Sequence, residues 1–397
     1  MAVLTEPKPE TMPEVAAGVD FSFTGDQELL RDEVRRFAEE RIRPGVAERD
    51  REHRFPLDIF KEMGEMGLLG MLVPEEYGGA GMDTLSYLLA LEEISRVDPA
   101  VAVTMSVTNS VCCWPIVRFG SEALKRKVLP SLATGETLGG FGLTEPGAGS
   151  DAGSLRTTAR RDGDIWVLNG EKAWITNAGF AGWYVVVART DPQAGKRGLS
   201  AFVIPGDAPG FSVGPPEEKL GLKASRTAQI FFADCRVPAE NLLGAEGQGL
   251  KIALATLDHS RLGIAAQSVG IHQRALELAV AYAKDRVQFG VPIAQHQAIQ
   301  FKLAQMATDL AASRSLMWYG ATQEHSSQAG RLSAQAKVFA SEAANRACQE
   351  SIQIHGGNGF HDDYEISRLY RDVRVTTIYE GTSEMQRMVI ARSLLRG

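Results

Sequence analysis

Cysteine is scarce in this sequence, and the few present are not organised. Four occur in 397 residues, Cys112, Cys113, Cys235 and Cys348. None forms a C-x-x-C pair, so neither a zinc site nor a disulfide framework is indicated and a reducing compartment is expected. No apolar run approaches the ~18 residues of a membrane span, which predicts a chain without a membrane segment. Basic residues are not in excess either. The net charge of −7 argues against a general nucleic-acid binder or a basic membrane-surface protein, and leaves room only for a local basic site that holds a phosphorylated ligand. The first twenty residues are rich in proline and glutamate. They lack the basic start and apolar stretch of a secretory signal, and the arginine-rich, acid-poor character of a mitochondrial one. Residues 1–20 are therefore read as a mobile tail on a cytoplasmic protein.

What is present is ordinary for a globular chain: 44% hydrophobic and 23% charged residues, in a length that suits two or three domains. Three textures follow one another. From about residue 21 to 138, apolar residues recur at helical spacing, as with Leu29, Leu30, Val34, Phe37, Ala38 and Ile42 in "DQELLRDEVRRFAEERI". "PLDIFKEMGEMGL" and "DTLSYLLALEEISRV" continue the pattern, with the loop "PEEYGGAGM" between them. From about 139 to 246 short β-rich runs take over: "IWVLNG", "WYVVVART", "LSAFVIP" and "AQIFFADCRV". Asp162-Gly163-Asp164 predicts a hairpin turn, so an antiparallel sheet or small barrel is expected. From 247 to 397 long helices return, with Leu303, Met306, Leu310 and Met317 on one stripe and Val338, Cys348 and Ile352 near another. This predicts an antiparallel four-helix bundle. The expected fold is thus α+β and multidomain: helical, antiparallel β, helical.

Three stretches carry candidate chemistry. "FGLTEPGAGSDAG", Phe141 to Gly153, has three glycines after Pro146 and the short polar side chains of Thr144, Ser150 and Asp151. Such a loop can cradle a phosphate or a heteroaromatic edge, or be a plain connector; it carries neither G-x-G-x-x-G nor G-K-[ST]. "KAWITNAG" follows about twenty residues on, and taken alone Trp174 and Ile175 read as core residues of a strand. "IYEGTSEMQR" places two glutamates around a glycine turn. Ser383 as N-cap and Gln386 at N3 fit a capping box, and Glu384 in the first turn suits the helix dipole. Glu380 lies outside the cap, beside a glycine that lets a ligand come close to the backbone.

Taken together, "LTEPGAGSDAG", "WITNAG", "LDHSRLGIAAQSVGI", "DRVQFGVPIAQHQAIQFKLAQMA", "QIHGGNGF" and "YRDVRVTTIYEGTSEMQR" occur in an order that resembles the acyl-CoA dehydrogenase family over nearly all of the chain after the tail. The resemblance implies an N-terminal helical domain, a β-domain and a C-terminal four-helix bundle, FAD as cofactor, no metal, and a homotetramer built as a dimer of dimers. It implies that Phe141, Leu143, Thr144, Gly149, Ser150, Trp174, Ile175 and Thr176 line the flavin. Arg286, Gln297, Gln353, Gly356 and Gly357 would reach the FAD of a neighbouring subunit, and Thr382, Ser383 and Glu384 would close over the cofactor. Ser150, Asp258, Arg261 and Gly381 would contact acyl-CoA. His355 departs from the leucine common in close relatives.

By the same resemblance Glu380 is the base that takes the α-proton of the thioester while the β-hydrogen leaves as hydride, giving a trans-2-enoyl-CoA. Electrons would pass on to an electron-transfer flavoprotein. Relatives that carry the base on the first bundle helix have it at the position of Ser260, which cannot serve. Glutaryl-type relatives hold a distal carboxylate with an arginine at the position of Ala102, so a dicarboxylate substrate is disfavoured. The expected substrate is a saturated short- or medium-chain acyl-CoA, straight or branched. Two rival readings stay open at this stage: the same fold with oxidase or monooxygenase chemistry, and a non-catalytic helical scaffold.

Overall fold

A computed structural model describes residues 22–396; the tail expected over residues 1–20 lies outside them. Helices start where capping chemistry permits. α1 (Gly25–Phe37) opens on a capping box: the Thr24 hydroxyl accepts the Gln27 N–H and the Gln27 amide oxygen accepts the Thr24 N–H. Two short helices follow, α2 (Val46–Glu52) and α3 (Leu57–Glu65). α4 (Thr84–Val97) is capped by Asp83 and α5 (Pro99–Ser106) by Asp98, with Pro99 in the first turn, where a missing N–H costs nothing. α6 (Trp114–Phe119) and α7 (Glu122–Ala133) complete this region. The stretch Pro99–Phe119 corrects one expectation from sequence. At mean hydropathy 1.5 it is long and apolar enough to span a membrane, and 89% of its apolar window is instead buried in the protein.

The sheet begins with β1 (Leu138–Gly142), then β2 (Thr158–Asp162), β3 (Ile165–Thr176), β4 (Ala181–Arg189), β5 (Leu199–Pro205), β6 (Phe211–Pro216), β7 (Thr227–Pro238) and β8 (Leu242–Leu243). The β2–β3 hairpin turns at the expected Asp162–Asp164, with Gly163 at φ 62°. The sheet is mixed rather than purely antiparallel, which corrects the sequence expectation. β1 pairs in parallel with β4, and β2 meets β4 in parallel at Thr158 and Arg189. The two strands lie in tandem along one edge of β4, so the glycine loop between them leaves the sheet and returns.

The last region holds α8 (Gly249–Asp285), a small hairpin of β9 (Val287–Gln288) and β10 (Val291–Pro292), α9 (Gln297–Thr322), α10 (Ala329–His355), α11 (Glu365–Val373) and α12 (Ser383–Arg396). α10 touches α8, α9 and α12, which gives the expected bundle. Met306, Leu310 and Met317 are buried on α9, and Cys348 on α10. α8 also meets α4 backbone to backbone. A Cβ at Gly270 would fall 2.4 Å from the Glu92 carbonyl oxygen, so only glycine permits this approach. One apolar core runs through all three regions, joining Phe37 and Tyr87 to Ile175 and Phe202 and on to Leu262 and Met317.

Candidate active site

Glu380 stands in a turn between α11 and α12 where two successive residues have left-handed backbone, Glu380 at φ 52° and Gly381 at φ 93°. For a non-glycine residue this costs about 1–3 kcal/mol, a strain met chiefly at functional sites. The φ at Gly381 favours glycine, and a Cβ there would lie 2.7 Å from Gln386 Nε2 and push that amide aside. The Gln386 amide donates to the carbonyls of Gly381 (2.8 Å) and Glu380 (3.3 Å), and Lys337 Nζ on α10 donates to Gly381 O at 2.7 Å. The cap differs from the sequence expectation by one residue. Thr382, not Ser383, is the N-cap: its hydroxyl accepts the Met385 N–H, and its carbonyl accepts the Gln386 N–H. Gln386 is thereby freed to hold the turn. Ser383 becomes the first helical residue, and its buried Oγ has no partner among the described residues.

The Glu380 carboxylate points at α8. Ser260 Oγ donates to Glu380 Oε2 at 2.5 Å. Burial raises the Glu380 pKa above the usual carboxylate range, against the lowering effects of the Ser260 hydroxyl and of the Lys337 and Arg261 charges. Arg261, itself buried, pairs with Asp258 one turn back on α8. Among the described residues no hydrogen bond uses the Glu380 N–H, which leaves it free to donate to a ligand.

The glycine loop and β3 are bound to each other. Ala173 N–H donates to Thr144 O (2.9 Å), and the buried Lys172 Nζ donates to Leu143 O (3.2 Å) and Glu145 Oε1 (2.8 Å). Glu145 also accepts the N–H groups of Arg156 and Thr157, so one carboxylate closes the whole loop. Burial lowers the Lys172 pKa to about 8 against the Glu145 charge. Ile175 is core, as its strand position suggests. Trp174 is not: it sits at φ 62° in a register shift of β3 with 61% of its surface exposed. Gly147 and Gly149 face open space. Phe141 and Tyr379 pack on the same cluster, built on Val103, Val107 and Val111, which brings this loop beside the Glu380 turn.

The remaining predicted residues lie elsewhere. Arg286 and Gln297 are exposed at the β9–β10 hairpin and the start of α9, while Gln353, Gly356 and Gly357 are exposed where α10 ends. Ile293 and Ile354 share a cluster, so the two groups occupy one end of the bundle. That end is about 27 Å along α10 from Lys337, at 1.5 Å per residue. His355 stacks on Tyr282 at 4.3 Å and is tied to Ser351 O at 2.7 Å, so it packs where an apolar residue would. Sequence reasoning passed over Glu145 and Lys172, both inside quoted motifs, and Lys337, which lies outside them; Gln386 it took for a capping-box residue. A cavity of about 450 Å³ lies against α1, α4, α8 and α9. Its Arg35, Arg96 and Arg314 are paired with Glu93, Glu277 and Glu92, so it is a structural ion-pair network.

Three family models match in chain order: "Acyl-CoA dehydrogenase, N-terminal domain" over residues 24–136, the middle domain over 140–235 and the C-terminal domain over 247–395. The chain belongs to the acyl-CoA dehydrogenase family. Mouse mitochondrial short-chain specific acyl-CoA dehydrogenase is 50% identical over 370 residues, covering 93% of this chain and 90% of that one. The solved butyryl-CoA dehydrogenase of Megasphaera elsdenii superposes with a TM-score of 0.93 at 43% identity, over 95% of this chain and 100% of that one. An acyl-CoA dehydrogenase of Bacillus anthracis solved in complex with FAD superposes with a TM-score of 0.90 at 39% identity, over 94% of this chain and 67% of that one.

FAD is the cofactor of acyl-CoA dehydrogenases, and the residues present fit it. Trp174 offers an exposed indole face beside the open glycine loop. Ser383 offers a buried hydroxyl, without a partner among the described residues, at a cleft of about 470 Å³ that also includes Thr382, Glu384, Arg346 and Arg374.

Proposed function

We propose that the protein converts a saturated short- or medium-chain acyl-CoA to the trans-2-enoyl-CoA, with Glu380 as the base. The observation that carries this reading is a carboxylate held in a strained turn, with its pKa raised by burial and a hydroxyl fixed on one oxygen. An α-proton of a thioester is far too weak an acid for a carboxylate in water. A dry site narrows the gap by making the carboxylate more basic, and the Glu380 N–H can steady negative charge on the thioester oxygen. Phe141, Leu143, Thr144, Gly149, Ser150 and Trp174 to Thr176 would hold the flavin, with Thr382 to Glu384 completing its site. Asp258 and Arg261, with Ser150 and Gly381, position the CoA ester. FAD, when bound, supplies the acceptor for the β-hydrogen and its electron pair. An electron-transfer flavoprotein would be the partner that takes up the electrons, in a cytoplasmic setting. The test is anaerobic mixing with butyryl- to octanoyl-CoA: the yellow absorbance should bleach, and no bleaching with any of them would refute the reading.

Butyryl-CoA should exceed glutaryl-CoA in kcat/KM by about 10²-fold or more, since a second carboxylate buried without a partner costs several kcal/mol. Ala102, where the clamping arginine would stand, is fully buried in the core beside α4 and offers no charge. Comparable values for the two substrates would contradict this.

We also propose a homotetramer in which Arg286, Gln297, Gln353, Gly356 and Gly357 meet the FAD of a neighbouring subunit. Their exposure at a bundle end remote from Glu380 supports it. On dilution, FAD content measured by size exclusion should fall together with assembly. Monomers that keep a full complement of FAD would rule the arrangement out.

A further inference from the structure

Lys337 is a buried cation that the reaction described above does not use. It lies on α10 with no exposed surface, among the buried Ala334, Ala336 and Ala340. An ammonium group in such surroundings is costly without compensation. Its hydrogen-bond partner is the Gly381 carbonyl, at 2.7 Å, which also accepts from the Gln386 amide at 2.8 Å. A neutral amide already satisfies that carbonyl. What the lysine adds is a positive charge on the carbonyl of the residue that follows Glu380.

We infer that Lys337 is a positioning residue for Glu380: it pins the Gly381 carbonyl, and so the left-handed turn, while its charge keeps the neighbouring carboxylate ionised in a dry site. This rests on the reading of Glu380 as the base. Glu380 faces Tyr87 from α4, Ser260 and Arg261 from α8 and Lys337 from α10, with Tyr379 beside it in the turn. Burial pushes both tyrosine hydroxyls upward, so they stay neutral, and the charge of Arg261 is offset by Asp258. Lys337 is therefore the cation whose charge is committed to the turn; of the carboxylates that act on it Glu380 acts most strongly, ahead of Glu342 and Glu384. Burial lowers its pKa to about 8, which leaves it protonated at neutral pH.

The sign of the effect follows. Glu380 must be ionised to accept a proton, so activity is lost as pH falls through its pKa. Removing a nearby positive charge raises that pKa and moves the loss to higher pH. 3-Thiabutyryl-CoA has acidic α-protons but no β-hydrogen, so their exchange into D₂O, followed by NMR on the FAD-loaded protein, reports the base without hydride transfer. Lys337→Met should shift the acid limb of exchange upward by on the order of one pH unit. Gln386→Leu, which removes only the neutral clamp, should slow exchange without moving the limb. If Lys337→Met does not fold, Lys337→Gln, which keeps a donor without the charge, carries the same two outcomes. An unmoved acid limb in the lysine variant overturns the inference. Wild-type protein that neither exchanges these protons nor is bleached by butyryl-CoA overturns the assignment of Glu380 instead.

Discussion

Replacing Glu380 with glutamine is expected to slow flavin reduction by butyryl-CoA by at least ~10²–10⁴-fold, the usual contribution of a general base. The substitution is nearly isosteric, and the glutamine carbonyl can still accept the Ser260 hydroxyl that holds Glu380 Oε2 at 2.5 Å. The turn should also survive, because its clamps run through main-chain carbonyls: Lys337 and Gln386 both donate to Gly381 O. What is lost is the ability to take up a proton. Among the described residues no other carboxylate nearby is placed to replace it. Asp258 is engaged by Arg261, and Glu384 is exposed in the first turn of α12, where its own N–H and Thr382 hold its pKa low. FAD content and acyl-CoA affinity should change little, so the defect should appear in the rate of bleaching and not in KM. Near-normal single-turnover bleaching in stopped flow would show that Glu380 is not the base.

Adding Ser260→Glu to that variant should restore at least tenfold of the lost rate and remain roughly 10²-fold below wild type, since ~1 Å of misplacement can cost that much. The reason is positional. Ser260 lies on α8 and Glu380 on the opposite wall, and their side chains meet, so both approach one volume from two sides. A carboxylate two bonds longer than the serine enters that volume from α8. Ser260 is fully buried, so the new carboxylate would be dry and its pKa raised, as the chemistry needs. The readout is butyryl-CoA bleaching of the double variant against Glu380→Gln alone, with FAD content equal. No gain in a folded, flavin-loaded double variant would mean that the two positions do not share a reacting carbon.

Much of this protein is determined locally and is legible from the chain alone. Helical periodicity located α1, α4 and the stripe on α9, because an amphipathic face records its own burial in residue spacing. Asp162-Gly163-Asp164 marked its hairpin, because the φ of 62° at Gly163 is a property of one residue. The order of the motifs pointed to the family and singled out Glu380. Other features depend on partners remote in sequence. The parallel pairing of β1 with β4 has no local signature, so an antiparallel sheet was expected. Trp174 reads as core by composition, and a register shift against β7 turns it outward. The cap moved from Ser383 to Thr382 because Gln386 bonds back to the turn before the helix instead of completing a capping box. Lys172 and Lys337 look like solvent-exposed lysines in any window of sequence. Their burial is decided by Glu145, 27 positions away, and by Gly381, 44 positions away, since a buried charge persists only where the fold brings it a partner.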